Sequence, residues 1–119
     1  MTKRVLIVDD DRQMVRTLSD VVQLHGWEAH GAYSGEEAIT SIQAHPFTIV
    51  LMDVRMEGAS GVDALRAMKR IRPGIRVILM TAHTASDVIA AAEREGALHV
   101  LRKPVPLPEL VEMLDAVVA

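Results

Sequence analysis

Four places in the chain set reactive side chains directly after apolar runs. Asp9-Asp10-Asp11 follows Val5–Val8, Asp53 follows Ile49–Met52, Thr81 follows Val77–Met80, and Lys103-Pro104 follows the mixed segment Leu98–Arg102. Taken singly, each has an ordinary explanation. An aspartate after a strand caps a helix or forms a turn, a lysine before proline is a solvated loop residue, and a threonine can satisfy its own backbone. Taken together they are acids, a hydroxyl and an amine that a parallel sheet would gather at one edge. Carboxylates within a few ångströms of one another repel unless a proton or a cation intervenes. An all-oxygen set with coordination left for water suits Mg²⁺, for which Mn²⁺ can substitute. A carboxylate beside such an ion can attack phosphorus to give an aspartyl phosphate. Phosphoryl transfer needs its equatorial oxygens neutralised and held more than it needs acid–base chemistry. Lys103 and the Thr81 hydroxyl can hold the oxygens that the cation does not.

The elements that must position these groups are legible as a change of period. Val5–Val8, Ile49–Met52 and Val77–Met80 are apolar throughout and rich in branched residues, which suits strands buried on both faces of a parallel sheet. Trp27–Ala32 and Leu98–Arg102 carry charge or histidine within the pattern and belong at sheet edges. Between them lie helical stripes: Met14, Leu18, Val21 and Val22; Ala38, Ile39 and Ile42; Val62, Leu65, Met68 and Ile71; and Leu107, Leu110, Val111, Leu114, Val117 and Val118. Asp87–Glu95 is helical by propensity, but its stripe of Val88, Ile89, Ala91 and Ala92 is poor in large residues and predicts looser packing. Asp11 is placed to cap the first helix, and Ser34 with Glu37 and Ser60 with Asp63 read as capping boxes. Gly26, Gly96 and Pro73-Gly74 stand where helices should stop, and Pro108 suits a first helical turn. Five strand–helix units with right-handed crossovers predict an α/β, doubly wound five-stranded parallel sheet of order 2-1-3-4-5, the flavodoxin-like (βα)5 arrangement. Sites in such sheets form beyond the carboxyl ends of the strands near the reversal of strand order, where Asp9–Asp11 and Asp53 fall.

Composition narrows the classes further. The 119 residues fit one domain, 1–119, and the absence of cysteine excludes disulfides, thiolate metal sites and thiol catalysis. A net charge of −3 and a single Trp, Tyr and Phe give no basic or stacking surface, so no direct nucleic-acid binding is expected. No apolar run has membrane-spanning length, and a cytoplasmic protein is the simplest reading. None of the five His has a helical metal spacing with another His. His25 stands near a helix end and His45 precedes Pro46 in a loop, while the seven Met read as core filler.

Val8-Asp9-Asp10-Asp11, Leu51-Met52-Asp53, Thr81-Ala82 and Lys103-Pro104, at these spacings and over essentially the whole chain, resemble the receiver domain of two-component response regulators. The resemblance implies a signalling module rather than an enzyme. In it Asp53 accepts phosphate from the phosphohistidine of a sensor histidine kinase or histidine phosphotransfer protein. It further implies Mg²⁺ held by Asp10, Asp53 and the backbone carbonyl of Arg55, with Asp9 acting through water. Thr81, Ala82 and Lys103 match the phosphate-binding and switch positions, the Lys103–Pro104 bond is expected to be cis, and Asp11 is expected to be a cap rather than a ligand. The first helix is the expected kinase contact. The fourth helix, fifth strand and fifth helix form the expected output face, through which a homodimer could also form. No output domain is expected within this chain, and the sequence leaves open whether it is a stand-alone receiver or a piece of a larger regulator.

The sequence departs from that pattern at named positions. Val100 stands where the family usually has Tyr or Phe, so an aromatic rotamer switch cannot operate there, and His99 should face the opposite side of the strand. Coupling would then run through the 82–87 loop, or the module would bind partners with a weak or absent response to phosphate. Val105 replaces a usual aromatic and Glu57 a usual proline, while Arg55 and His83 flank the path of hydrolytic water. Arg55 is expected to contact the phosphoryl group or Glu57 and alter phosphate lifetime. Two other classes fit worse. A haloacid-dehalogenase-type phosphatase places a second acid two residues after its nucleophile, where this chain has Arg55. A flavin carrier of the same fold needs a Ser/Thr/Gly-rich phosphate loop where this chain has Asp9-Asp10-Asp11-Arg12.

Overall fold

A computed structural model describes residues 3–56, 59–82 and 86–118. The five apolar or mixed segments form β1 (Arg4–Val8), β2 (Glu28–Ala32), β3 (Ile49–Asp53), β4 (Val77–Thr81) and β5 (His99–Arg102). They make one parallel sheet of order β2-β1-β3-β4-β5, as their hydrophobicity predicts. The three apolar runs are central, where both faces are covered, and the two mixed strands are the edges. The intervening segments form α1 (Arg12–Leu24), α2 (Gly35–Ala44), α3 (Gly61–Ile71), α4 (Ser86–Arg94) and α5 (Leu107–Val118).

Strand alternation sorts the side chains into two cores. Leu6, Val8, Val50, Met52, Val77 and Leu79 point toward α2, α3 and α4, where they meet Ala38, Ile42, Leu65, Met68 and Ala92. Val5, Ile7, Ile49, Leu51, Ile78 and Met80 point the other way and meet Val15, Leu18 and Val22 of α1 and Leu110 and Leu114 of α5. Each central strand therefore needs apolar residues at every position, which is why the runs show no polar alternation.

Local expectations hold with instructive shifts. Asp11 accepts from the N–H groups of Gln13 and Met14, and Ser34 accepts from Glu37 N–H, so both caps form. Glu37 reaches Tyr33 N–H rather than the cap residue, and Asp63 pairs with Arg66, so neither expected capping box closes on its own serine. In α1 the buried ladder is Val15, Leu18 and Val22, with Met14 only partly buried. Ile71 is exposed instead of buried because it is the last residue of α3, and Ile75 fills the core beyond that end. Gly26 and Gly96 take positive φ just past α1 and α4, as helix-stopping glycines do. An unforeseen element is a two-residue antiparallel ladder, Arg55–Met56 with Ala59–Ser60, between β3 and α3. Among its described side chains α4 buries only Ala92 completely, in line with its weak stripe.

Core and surface leucines should respond differently to truncation. Leu65 is fully buried, and Leu65→Ala should cost about 3 kcal/mol. Leu24 is 85% exposed, and Leu24→Ala should stay within about 0.5 kcal/mol of wild type. Urea midpoints at unchanged slope would measure both.

Candidate functional site

The register of the central strands brings the acids together. Val8 pairs with Met52, so the residues that follow, Asp9 and Asp53, emerge side by side at the carboxyl edge. Asp9 N–H continues the ladder one step beyond β1 by donating to Ala32 O at 3.1 Å. Asp53 pairs with Met80, which places Thr81 at the next position along the same edge. Lys103 arrives from β5: its N–H donates to Thr81 O at 2.8 Å, and the Lys103–Pro104 bond is cis.

Asp9 has no exposed surface, Thr81 is 1% exposed and Asp53 7%, while Asp10 is exposed and opens the cluster to solvent. Lys103 Nζ lies 2.8 Å from Asp9 Oδ2 and 3.2 Å from Asp53 Oδ2. The remaining carboxylate oxygens take main-chain donors: Asp11 N–H reaches Asp9 Oδ1 at 3.0 Å, and Arg55 N–H reaches Asp53 Oδ1 at 3.3 Å. Oxygens of Asp9, Asp10 and Asp53 all lie within 4.8 Å of one another. Burial pushes the Asp53 carboxyl above the usual aspartate range, and the Asp9 charge adds to this against the opposing pull of Lys103 and the Arg55 amide. For Lys103 burial acts downward, but the hydrogen bond to Asp9 and the charges of Asp53 and Asp9 outweigh it and hold the ammonium above its ordinary value.

The donor set fits a divalent cation with a preference for oxygen. Oxygens of three carboxylates stand close together, Lys103 spans the two buried ones, and the set is all hard oxygens with solvent on the Asp10 side. The groups singled out in the sequence, Asp9, Asp10, Asp53, Thr81 and Lys103, thus converge at one edge. Ala82 follows Thr81 at the surface, and Arg55 is exposed beside the cluster. Arg55 also lines a cavity of about 540 Å³ between α3 and α4, with Val54, Ser60, Val62, Asp87 and Val88. Glu57 and His83 lie outside the described residues. Val100 is partly buried against the α2/α3/α4 side of the core, and neighbouring His99 is exposed on the other side of its strand, as expected. Sequence reasoning missed Gly61, whose main chain lies against that of Asp53. The available signal was a glycine placed directly after the helix-capping serine, in a turn where other residues propagate a helix better.

Residues 5–115 match the family model described as the response regulator receiver domain. The chain is 38% identical to a response regulator receiver protein of Anaeromyxobacter sp. (strain Fw109-5), over 93% of this chain and 47% of that one. It is 33% identical to sporulation initiation phosphotransferase F of Bacillus subtilis (strain 168), over 92% of this chain and 89% of that one. It is also similar to the structure of the response regulator TrrA of Thermotoga maritima in complex with Mg²⁺-BeF, with a TM-score of 0.86 and 28% identity over 98% of this chain and 99% of that one. The chain spans about half the length of the first of these relatives and about a quarter of several transcriptional regulatory relatives.

The raised Asp53 carboxyl has a consequence for stability. A carboxyl whose folded pKa exceeds its unfolded one contributes full stability below the ordinary aspartate value of about 4, and that contribution is lost as pH rises through the folded value. Asp53→Asn should therefore stabilise the metal-free protein at neutral pH, by about 1 kcal/mol. The gap should close toward pH 3. Urea unfolding in EDTA across that range would measure it, and a wild type more stable than the variant at pH 7 would contradict the expectation.

Proposed function

This chain belongs to the response regulator receiver domain family, and from that premise we propose that Asp53 accepts a phosphoryl group from a phosphohistidine donor. The observation that carries the reading is the buried cluster in which Lys103 spans Asp9 and Asp53 while Asp10 faces solvent. Asp10, Asp53 and the main-chain carbonyl of Arg55 would hold a Mg²⁺ ion directly, with Asp9 acting through water. Such an ion would supply charge neutralisation for the transferring phosphoryl oxygens. An Asp53 carboxylate oxygen forms a bond to phosphorus as the phosphorus–nitrogen bond of the donor breaks and its electron pair returns to the imidazole. Lys103 then pairs with a phosphoryl oxygen in place of the Asp53 carboxylate, and the Thr81 hydroxyl hydrogen-bonds another. Both groups are already held at the right edge by β4 and β5. Arg55, exposed at the rim, would alter the lifetime of the product.

The proposed donor is a sensor histidine kinase or histidine phosphotransfer protein docking near α1. Support comes from the phosphotransferase named among the relatives and from the Mg²⁺-BeF complex of the structural neighbour. The module would signal through the face of α4, β5 and α5, to a partner, an output domain or a second copy of itself. A cytoplasmic site of action fits this role; none of the described helices is long and apolar enough to cross a membrane. Val100, partly buried and with a single side-chain torsion, favours a second reading in which the fold docks partners with little response to phosphate.

Incubation with acetyl phosphate and Mg²⁺, read by intact mass, distinguishes these. The first reading expects one phosphate adduct, abolished by Asp53→Asn and slowed at least ~10-fold by Lys103→Ala. An unmodified wild type would exclude it. In a separate measurement, Mg²⁺ at about 100 times its Kd should add about 2.7 kcal/mol to stability, and Asp10→Asn should remove most of that gain. A Mg²⁺ effect unchanged by Asp10→Asn would refute the proposed ligand set.

A further inference from the structure

Gly61 is buried and opens α3. Its own conformation does not call for glycine, since among the described residues the positive-φ glycines are Gly26 and Gly96. Inside a helix alanine is favoured over glycine by about 1 kcal/mol. The reason for glycine lies across the chain. A Cβ at this position would stand 2.3 Å from the Asp53 carbonyl oxygen, 2.8 Å from Val54 Cα and 3.1 Å from the Asp53 carbonyl carbon. All three atoms are main chain, so no rotamer change relieves the overlap. By contrast, a Cβ at Gly31 would meet the Val15 methyl and the Tyr33 ring, which can move. The close approach at Gly61 is also fastened: its N–H donates to Val54 O at 2.6 Å, and Arg55 pairs with Ser60 just beyond.

We propose that Gly61 is a positioning residue for Asp53, allowing the first turn of α3 to rest directly on the Asp53–Val54 main chain and so to fix where the acceptor carboxylate and the Arg55 main chain face Asp9, Asp10 and Lys103. The inference rests on the reading of Asp53 as acceptor and metal ligand. Relief of the 2.3 Å overlap requires a separation of roughly 1 Å between α3 and β3. Where β3 rather than α3 gives way, a shift of that size is enough to take Asp53 Oδ2, now 3.2 Å from Lys103 Nζ, beyond hydrogen-bond reach. Misplacement by about 1 Å can slow a positioned reaction by ~100-fold.

The test compares Gly61→Ala with Leu65→Ala, a core truncation in the same helix that leaves the Asp53 contact intact. Both are assayed in the full chain with trimethylamine N-oxide, which favours the compact state, and folding is checked by circular dichroism. Gly61→Ala should shift the amide resonances of Asp9, Asp10, Asp53 and Lys103 in metal-free protein, weaken Mg²⁺ binding by ~10-fold and slow uptake from acetyl phosphate by ~10- to 100-fold. Leu65→Ala, though less stable, should stay within ~2-fold of wild type on both activities. Equal behaviour of Gly61→Ala and wild type, or an equal loss in the two variants, would overturn the proposal. If wild type takes up no phosphate, the acceptor reading falls by itself. The resonances and Mg²⁺ affinity then still decide Gly61, and a site unmoved by Gly61→Ala rejects its role.

Discussion

The structure depends on one buried charge. Asp9 has no contact with solvent, and an unpaired carboxylate there would cost several kcal/mol. Its partner is Lys103, 94 residues away, whose ammonium lies 2.8 Å from Oδ2. Lys103 reaches that point only because β5 pairs with β4 and its N–H is held by Thr81 O. β4 in turn is in register with β3, and β3 with β1. A slip of one residue in any of these pairings would send Lys103 or an aspartate to the opposite face. The same pairings sort the apolar residues into the two cores, so packing and site geometry impose one register.

Asp53 shares the lysine with Asp9, so one ammonium serves two buried acids. Burial and the Asp9 charge both disfavour the ionised form of Asp53. In the proposed reaction a Mg²⁺ ion held by Asp10 and Asp53 would add positive charge beside these acids, and Lys103 would pair with the phosphoryl group in place of Asp53. Gly61 contributes the complementary steric condition, since α3 must rest on the Asp53 main chain without a side chain between them.

On that reading, transmission to the output face has limited means. Val100 packs against the core without an aromatic lever. α4 is lightly anchored, with Ala92 as its fully buried residue among the described side chains. Just past its far end the half-buried Glu95 carboxylate accepts from the exposed Arg66 of α3 at 2.9 Å. Ion pairs near the surface contribute little, about 0–1 kcal/mol, so this one adds little to the light anchoring of α4. In the proposed signalling, displacement of this lightly anchored helix would take the place of rotation of an aromatic side chain.

Much of this is legible in the amino-acid sequence. Central and edge strands differ in composition because central strands are covered on both faces, and with right-handed crossovers the order 2-1-3-4-5 satisfies that difference. The acids, Thr81 and Lys103 were recognisable because strand-end residues of a parallel sheet share an edge, and Asp11 was recognisable as a cap. Other features were hidden because they arise from contacts between distant segments. Helix periodicity located an apolar side of α1 but not the Val15, Leu18 and Val22 ladder that meets the sheet, and it could not show that Ile75 would displace Ile71 from the core. The sharing of Lys103 between Asp9 and Asp53 is a fact of distance. So is the need for glycine at position 61, which comes from a carbonyl oxygen eight residues earlier in the chain. The sequence by itself determined which groups stand at the edge of the sheet, because strand period and strand ends are local properties. Only the tertiary structure decided how those groups divide their charge and what holds Asp53 in place, because both depend on approaches between segments that no local pattern encodes.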